Sequence, residues 1–326
     1  MEGMSSSPTT LAVGFRDYGG PDVLEVVEVP LLEPRPGEVR VDVRASTANP
    51  TDTLTRSGAA RIRLQDAEPP FVVGMDIAGV VEALGEGVDQ WKVGDEVAGI
   101  TVPGKLPGKG GYAQRVVLPA DSLMRIPRGS TFAQASTLPM NGLTAVRALD
   151  LLDLAPGATL AVTGGAGAFG GYTIALAKAR GLRVIADGAH SDEELLRRLG
   201  ADIVVERGPG IAQRIVAAAD GQVDGVADGA LIGGELLDAL VDGAPFAVVR
   251  DVAIEPERGI TVHRVSVVDY AKRADLLDQL RAFAEDGTIE LRVAETFAPT
   301  EAPEIHHRLA AGGVRGRLVI DWTALA

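Results

Sequence analysis

Residues 158–171 read ATLAVTGGAGAFGG: an apolar run long enough for a strand ends in a pile of glycines, and an apolar run long enough for a helix follows. That junction limits the fold more than any other stretch. A strand turning at once into a helix delivers uncapped helix N–H groups to the end of a sheet. Gly165-Ala166-Gly167-Ala168-Phe169-Gly170 fits G-x-G-x-x-G, a weak signal by itself in a chain with Gly 40. Its setting strengthens it, because strand Thr159–Thr163 precedes it and Asp187 ends the next strand, about 20 residues on. Glycines let the backbone turn sharply and approach a pyrophosphate closely, and the N-terminus of a helix beginning near Phe169 favours negative charge. The plainer reading is a glycine-rich turn that binds nothing. With strand, helix and acid in register, a dinucleotide cradle is favoured, formed by Gly164, Gly165, Gly167, Ala168, Phe169 and Gly170.

The surrounding pattern agrees with a doubly wound sheet. Strand-like runs recur at Leu182–Asp187, Asp202–Val205, Val223–Asp228, Phe246–Arg250 and Thr261–Val267. Helical runs at Gly171–Arg180, Asp192–Leu199, Ile211–Ala219 and Gly234–Val241 lie between most of them. Ser191 and Glu194 read as a capping box, and Gly181 and Gly200 stand where helix C-caps favour glycine. Six strands with intervening helices predict a parallel α/β sheet. Residues 10–130 read differently, as short strands cut by turns in an antiparallel barrel or sandwich. Val39–Arg44 alternates strictly, and Ile77–Leu84, Asp95–Thr101 and Tyr112–Leu118 are further strands. After about Tyr270 a helix, short strands and Arg317–Asp321 form a tail too short to stand alone, which is expected to pack on the first region. The domains are therefore 1–132 with 270–326, and 133–269.

Composition narrows the partners. The 326 residues carry Lys+Arg 31 against Asp+Glu 45, a net charge of −14, which disfavours nucleic acid and anionic membranes. Cys 0 removes disulfides, thiolate nucleophiles and sulfur-ligated zinc. MEGMSSSPTT has no apolar signal core, and no apolar run reaches the roughly 18 residues of a membrane helix. A cytoplasmic protein acting on a small molecule is expected.

Asp187 has two readings: an acceptor for an adenosine ribose, which favours NADH, or a cap for the following turn. That turn carries His190 and Ser191, which with Arg183 or Arg207 would hold the phosphate of NADPH.

Several further stretches carry a resemblance. They are Ala48-Asn49-Pro50-Thr51-Asp52, FVVGMDIAGVVEALGEGVDQWKVGDEVAG (Phe71–Gly99), GGYAQRVVLPADSLMRIP and LPMNGLTAVRAL. Together they resemble the medium-chain dehydrogenase/reductase superfamily, in its zinc-independent quinone oxidoreductase branch, from about Gly14 to Ile320. The resemblance implies a GroES-like β-barrel domain completed by the C-terminal tail, beside a Rossmann domain. It also implies a homodimer, through Thr261–Val267 pairing with its twin. Where zinc-using relatives carry a Cys and a G-H-E motif, this chain has Asn49 and Met75-Asp76, so no metal is expected. Without zinc, an electron-poor acceptor is expected: a quinone or an α,β-unsaturated carbonyl, reduced by hydride from NADPH, or NADH given Asp187. An enoyl reductase for a biosynthetic thioester and a non-catalytic NADPH-binding sensor are the rivals.

By the same resemblance Asn49 faces the nicotinamide or the acceptor oxygen, or merely caps the turn before Pro50. Asp52 orients Asn49 or caps a helix rather than moving protons. Asn141 and Thr144 match nicotinamide or ribose contacts, with an N-cap at a helix start as the plainer role. Val249 and Arg250 follow the fifth Rossmann strand, near the carboxamide, although Arg250 reads slightly better as a surface charge. Arg315 and Arg317 stand at an R-G-K ending, and Arg317 either reaches the cofactor or pairs with a carboxylate. Tyrosines common in relatives are replaced by Leu54 and Ala60, which implies an open, apolar substrate pocket. The loop Thr101–Gly111 is a lid or a long hairpin, and His263, His306 and His307 are structural.

Overall fold

The computed structural model describes residues 8–106 and 108–325. The first seven residues, read above for a signal sequence, and Pro107 of the Thr101–Gly111 loop lie outside the described residues. The chain opens with β1 (Thr9–Phe15), β2 (Glu25–Pro30), β3 (Glu38–Thr47), helix α1 (Pro50–Arg56), β4 (Phe71–Val72), β5 (Asp76–Leu84), β6 (Glu96–Ile100), β7 (Arg115–Pro119) and β8 (Leu123–Arg125). Helices and strands then alternate: α2 (Phe132–Ala135), α3 (Pro139–Leu152), β9 (Thr159–Thr163), α4 (Ala168–Ala179), β10 (Arg183–Gly188), α5 (Glu193–Arg198), β11 (Ile203–Glu206), α6 (Ile211–Ala219), β12 (Gly225–Asp228), β13 (Pro245–Val248) and β14 (Thr261–Arg264). The chain closes with α7 (Ala274–Glu285), β15 (Val293–Phe297), α8 (Ala302–Ala311) and β16 (Arg317–Asp321).

Two compact units result. One takes the described residues to Met140, Ala271–Arg281 and those from Leu291 on; the other takes Asn141–Tyr270 and Ala282–Glu290. In the first unit a large sheet runs β15-β16-β3-β5-β6-β8, with β7 also paired to β3, beside a small sheet β2-β1-β4. The strict alternation in β3 has its expected cause. Val39, Val41 and Val43 turn into the core, while Arg40, Asp42 and Arg44 keep contact with water. Each such valine contributes roughly 1.5–3 kcal/mol by leaving water. β16 pairs antiparallel with β3, Ile320 opposite Ser46, so the tail does complete the first unit's sheet. The expected strand Tyr112–Leu118 begins only at Arg115. Tyr112 instead bridges two other segments, its N–H donating to Val73 O and its carbonyl accepting from Val13 N.

In the second unit six parallel strands run β11-β10-β9-β12-β13-β14. Ala161, Ile185, Val226 and Phe246 form one core with α6 side chains. Gly181 and Gly200 adopt the left-handed φ of C-cap glycines, +78° and +109°. Three local expectations are corrected. α4 starts at Ala168, ahead of the expected Gly171, because the fingerprint's last residues already belong to its first turn. Gly234–Val241 is a 3₁₀ helix over Gly233–Ala239. Ser191 and Glu194 form no capping box: a 3₁₀ turn precedes α5, and Asp192 accepts the Ala189 N–H at 3.0 Å.

Candidate functional site

The second unit's site is a row of strand ends. Ala186 pairs with Val162, Thr163 with Asp228, and Asp228 with Val248, so β10, β9, β12 and β13 leave the sheet at one level. At β9 the chain turns through Gly164, whose φ of +67° suits glycine. Gly170 supplies the close packing of the helix on this turn, since a Cβ there would lie 2.3 Å from Gly164 O. A Cβ on Gly165 would meet Leu196 Cδ2 at 2.8 Å and Asp187 O at 3.0 Å. Gly167 is the N-cap of α4 and has no side chain to cap its first turn. The helix is twelve residues long, and its N–H groups and dipole aim at the turn. Backbone donors at a helix N-terminus and a tight left-handed turn suit a pyrophosphate.

Asp187 does something neither reading anticipated. Its Oδ1 accepts the N–H of Gly164 at 2.6 Å and of Gly165 at 3.3 Å, so the carboxylate pins the cradle's own turn. Burial pushes its pKa up, while the two N–H groups and Arg207 hold it down. The turn beyond is open, with the His190 side chain 99% exposed and Ser191 exposed. Arg183 is spent elsewhere, donating to the carbonyls of Ala218 and Ala219 at the end of α6. Arg207 remains as the cation near Asp187.

Asp228, which sequence reasoning passed over, fastens the next loop. Its carboxylate accepts the Thr163 hydroxyl at 2.6 Å and the N–H groups of Ile232 and Gly233 at 3.2 and 2.9 Å. It holds Leu231 at φ +62°, a costly conformation for leucine. Its place at a strand end next to a glycine was a readable signal. After β13 come Val249 and Arg250. Arg250 is half-buried, not a surface charge as expected, and it has no hydrogen-bond or ion-pair partner among the described residues. Asn141 and Thr144 are buried in α3, one turn apart; the helix starts at Pro139, so Asn141 lies within its first turn and is not its N-cap.

The first unit contains a separate buried polar cluster. Asn49 stands at the N-cap of α1 and is 0% exposed. Its Nδ2 donates to Asp76 Oδ2 at 2.9 Å and to Thr47 O at 3.3 Å, and its Oδ1 accepts from Arg317 at 2.5 Å. Arg317 also donates to Ala48 O at 3.0 Å and Asp76 Oδ2 at 3.2 Å, so it pairs with a carboxylate. Asp76 Oδ1 caps α3 by accepting the Met140 N–H at 2.7 Å. Burial raises the Asp76 pKa, and Arg317 and Asn49 oppose the rise.

Asp52 accepts three donors: the N–H of Asn49 at 2.8 Å, the Tyr112 hydroxyl at 3.1 Å and the N–H of Gly74 at 3.3 Å. Desolvation still pushes it up to about 7. The Tyr112 hydroxyl also meets His306 Nε2 at 3.3 Å, and burial drives His306 down to about 3. Tyr112 and His306 were not singled out as a pair, because they lie 194 positions apart in the chain. His307 pairs with Asp22 at 3.0 Å. Among the described residues no three His, Cys, Asp or Glu side chains are grouped to hold a metal, and no helix is long and apolar enough to cross a membrane.

Comparison with known proteins adds four findings. Residues 35–128 match the alcohol dehydrogenase GroES-like domain. A quinone oxidoreductase of Pseudomonas aeruginosa is 30% identical over 94% of this chain and 98% of its own. An NADPH-dependent alkenal/one oxidoreductase of Arabidopsis thaliana is 34% identical over 59% of this chain and 51% of its own. The solved quinone oxidoreductase of Coxiella burnetii superposes with a TM-score of 0.82 at 27% identity, over 96% of this chain and 99% of its own.

Proposed function

The chain belongs to the medium-chain dehydrogenase/reductase superfamily, in its quinone oxidoreductase branch, and from that premise we propose a zinc-independent, NAD(P)H-dependent reductase of quinones or α,β-unsaturated carbonyls. The observation that carries the reading is the cradle: Gly164, Gly165, Gly167 and Gly170 let the strand–helix turn close tightly on its own backbone and neighbours, where a Cβ would clash, at the N-terminus of a helix. A nicotinamide dinucleotide bound there supplies the hydride. The protein's part is to bind, orient and exclude water. The Gly167 N–H closes the turn by donating to Gly164 O at 2.9 Å, Ala168 and Phe169 would offer their backbone N–H groups to phosphate oxygens, and Thr163 and Asp228 hold the neighbouring loop in place.

When hydride adds to the β-carbon of an enone, the C=C pair moves toward oxygen and an enolate forms. It is quenched by a proton from water or a donor, so no metal is required. Asn49 and Asp52 act in this reading as positioning residues, since their side-chain contacts point into the buried cluster. Asn141, Thr144 and Val249 are the proposed contacts toward the nicotinamide end. Arg317 holds Asn49 and Asp76 rather than the cofactor. NADPH is the proposed form, with His190, Ser191 and Arg207 available to its extra phosphate; Asp187 favours NADH and sets the contest. The free edge strand β14 supports a homodimer through pairing with its twin, and a light-scattering mass equal to one chain would remove that part.

The test is a titration of chelator-treated protein with NADPH and NADH, followed by cofactor fluorescence, and then consumption assays with benzoquinone and a small enone. Binding with turnover of either acceptor is expected. Absence of dinucleotide binding would overturn the reading.

A further inference from the structure

The strand-end row gives the site a direction. Asp187 closes β10 on one side of the cradle, and β12 and β13 lie on the other. A dinucleotide with its pyrophosphate at β9 and its adenosine toward Asp187 would therefore have its reactive end on the side of β12 and β13. Strands lie about 4.8 Å apart, so β13 stands roughly 10 Å from β9 along the row. Arg250 is the second residue beyond Val248, the last residue of β13. Val265 N–H donates to Val248 O at 2.9 Å, which fixes the point where the chain leaves the sheet.

Arg250 is a half-buried cation at this strand end. Its immediate neighbour Asp251 is already paired, to Arg264 at 3.1 Å. Arg250 itself has no carboxylate, carbonyl or hydroxyl partner among the described residues. Burial alone lowers its pKa, with no anion acting against that. In a chain of net charge −14, a half-buried guanidinium left without a counter-ion is costly. A guanidinium offers a planar fork of donors matched to carboxylate and phosphate oxygens, and it stays charged.

Resting on the reductase reading above, we propose that Arg250 anchors an anionic group of the acceptor, so that the preferred substrate is an electron-poor alkene or quinone that also bears a carboxylate or phosphate. Neither the hydride nor the neutral carbonyl requires a full positive charge at this position. An acidic substituent would supply the missing partner and orient the acceptor at the same time.

The test uses a matched pair of enones, 3-benzoylacrylate and its ethyl ester, with wild type, Arg250→Ala and Arg250→Lys. It has two readouts: kcat/KM, and binding of the saturated keto acid or its ester to the protein–NADPH complex by cofactor fluorescence. Wild type should favour the acid over the ester. Arg250→Ala should lose at least tenfold in kcat/KM and in affinity for the acid, with the ester changed less than threefold, and Arg250→Lys should recover part of the loss. An acid-to-ester ratio that Arg250→Ala does not move overturns the proposal. Equal losses on acid and ester also overturn it, because they place Arg250 at a group both probes share. So does failure of the acid to bind while NADPH binds. Failure of NADPH to bind to wild type is distinct and sinks the underlying reductase reading as well.

Discussion

The two polar centres of this chain use similar residues to opposite ends. In the first unit Asn49, Asp52, Asp76, Tyr112, His306 and Arg317 sit in a buried network, each held by others of the set. In the second unit Asp187 and Asp228 spend their carboxylates on backbone N–H groups of loops, and the donors at the head of α4 are left open. The first arrangement fixes a structure; the second prepares a surface for something else. A polar residue's identity does not say which of these it does. Its partners do.

The comparison breaks most visibly if the buried network is cut. Arg317→Met leaves Asp76 buried without its cation, which costs about 3–5 kcal/mol. Unfolding by denaturant should show that loss, and a change under 1 kcal/mol would mean the cluster is not a coupled network. Gly170→Ala strikes the other centre: its Cβ would meet Gly164 O, so the turn must shift. Dinucleotide affinity should fall by roughly a hundredfold, equivalent to about 2.7 kcal/mol, in calorimetric titration, with the first unit's network intact.

Asp187→Asn is a finer cut. The amide oxygen still accepts from Gly164 and Gly165, while the charge is gone. The ratio of NADPH to NADH affinity should rise by about tenfold, or about 1.4 kcal/mol. An unchanged ratio would show that Asp187 only pins the turn.

The smallest effect is a pH dependence. Asp52 titrates higher when folded, at about 7, so its contribution is full below its ordinary range and is lost as pH rises through about 7. His306 titrates lower, at about 3, so its contribution is present above its ordinary value and is lost as pH falls toward 3. The two slopes oppose each other across the mildly acidic range. Asp52→Asn removes the first, so melting temperature should climb more steeply between pH 4 and 6.5 than in wild type. Parallel curves would show that Asp52 does not carry the shift.

What could be read in the sequence follows from the same contrast. The cradle is local: strand, glycines and helix are contiguous, and periodicity with turn chemistry defines them within a few residues. The parallel sheet was legible for that reason, and so was the N-cap position of Asn49 before Pro50. The buried network is not local. Arg317 lies 268 positions from Asn49, and His306 lies 194 from Tyr112. Only the folded sheet, with β16 beside β3, brings the first pair together. Asp187 shows a third limit: its placement at a strand end was evident, but its choice of the cradle's own N–H groups depended on sub-ångström backbone geometry. Arg250 read as a surface charge because nothing in the sequence reports which side chains are covered.

The most direct measurement is isotope transfer. Chelator-treated protein would be given cofactor deuterated at the nicotinamide C4, on each face in turn, together with a small enone, and the product examined by NMR. One labelled face should deliver deuterium to the β-carbon of the reduced product and the other none, at a rate that added zinc does not change. Cofactor binding without deuterium in the product, or transfer that depends on added metal, would contradict the account.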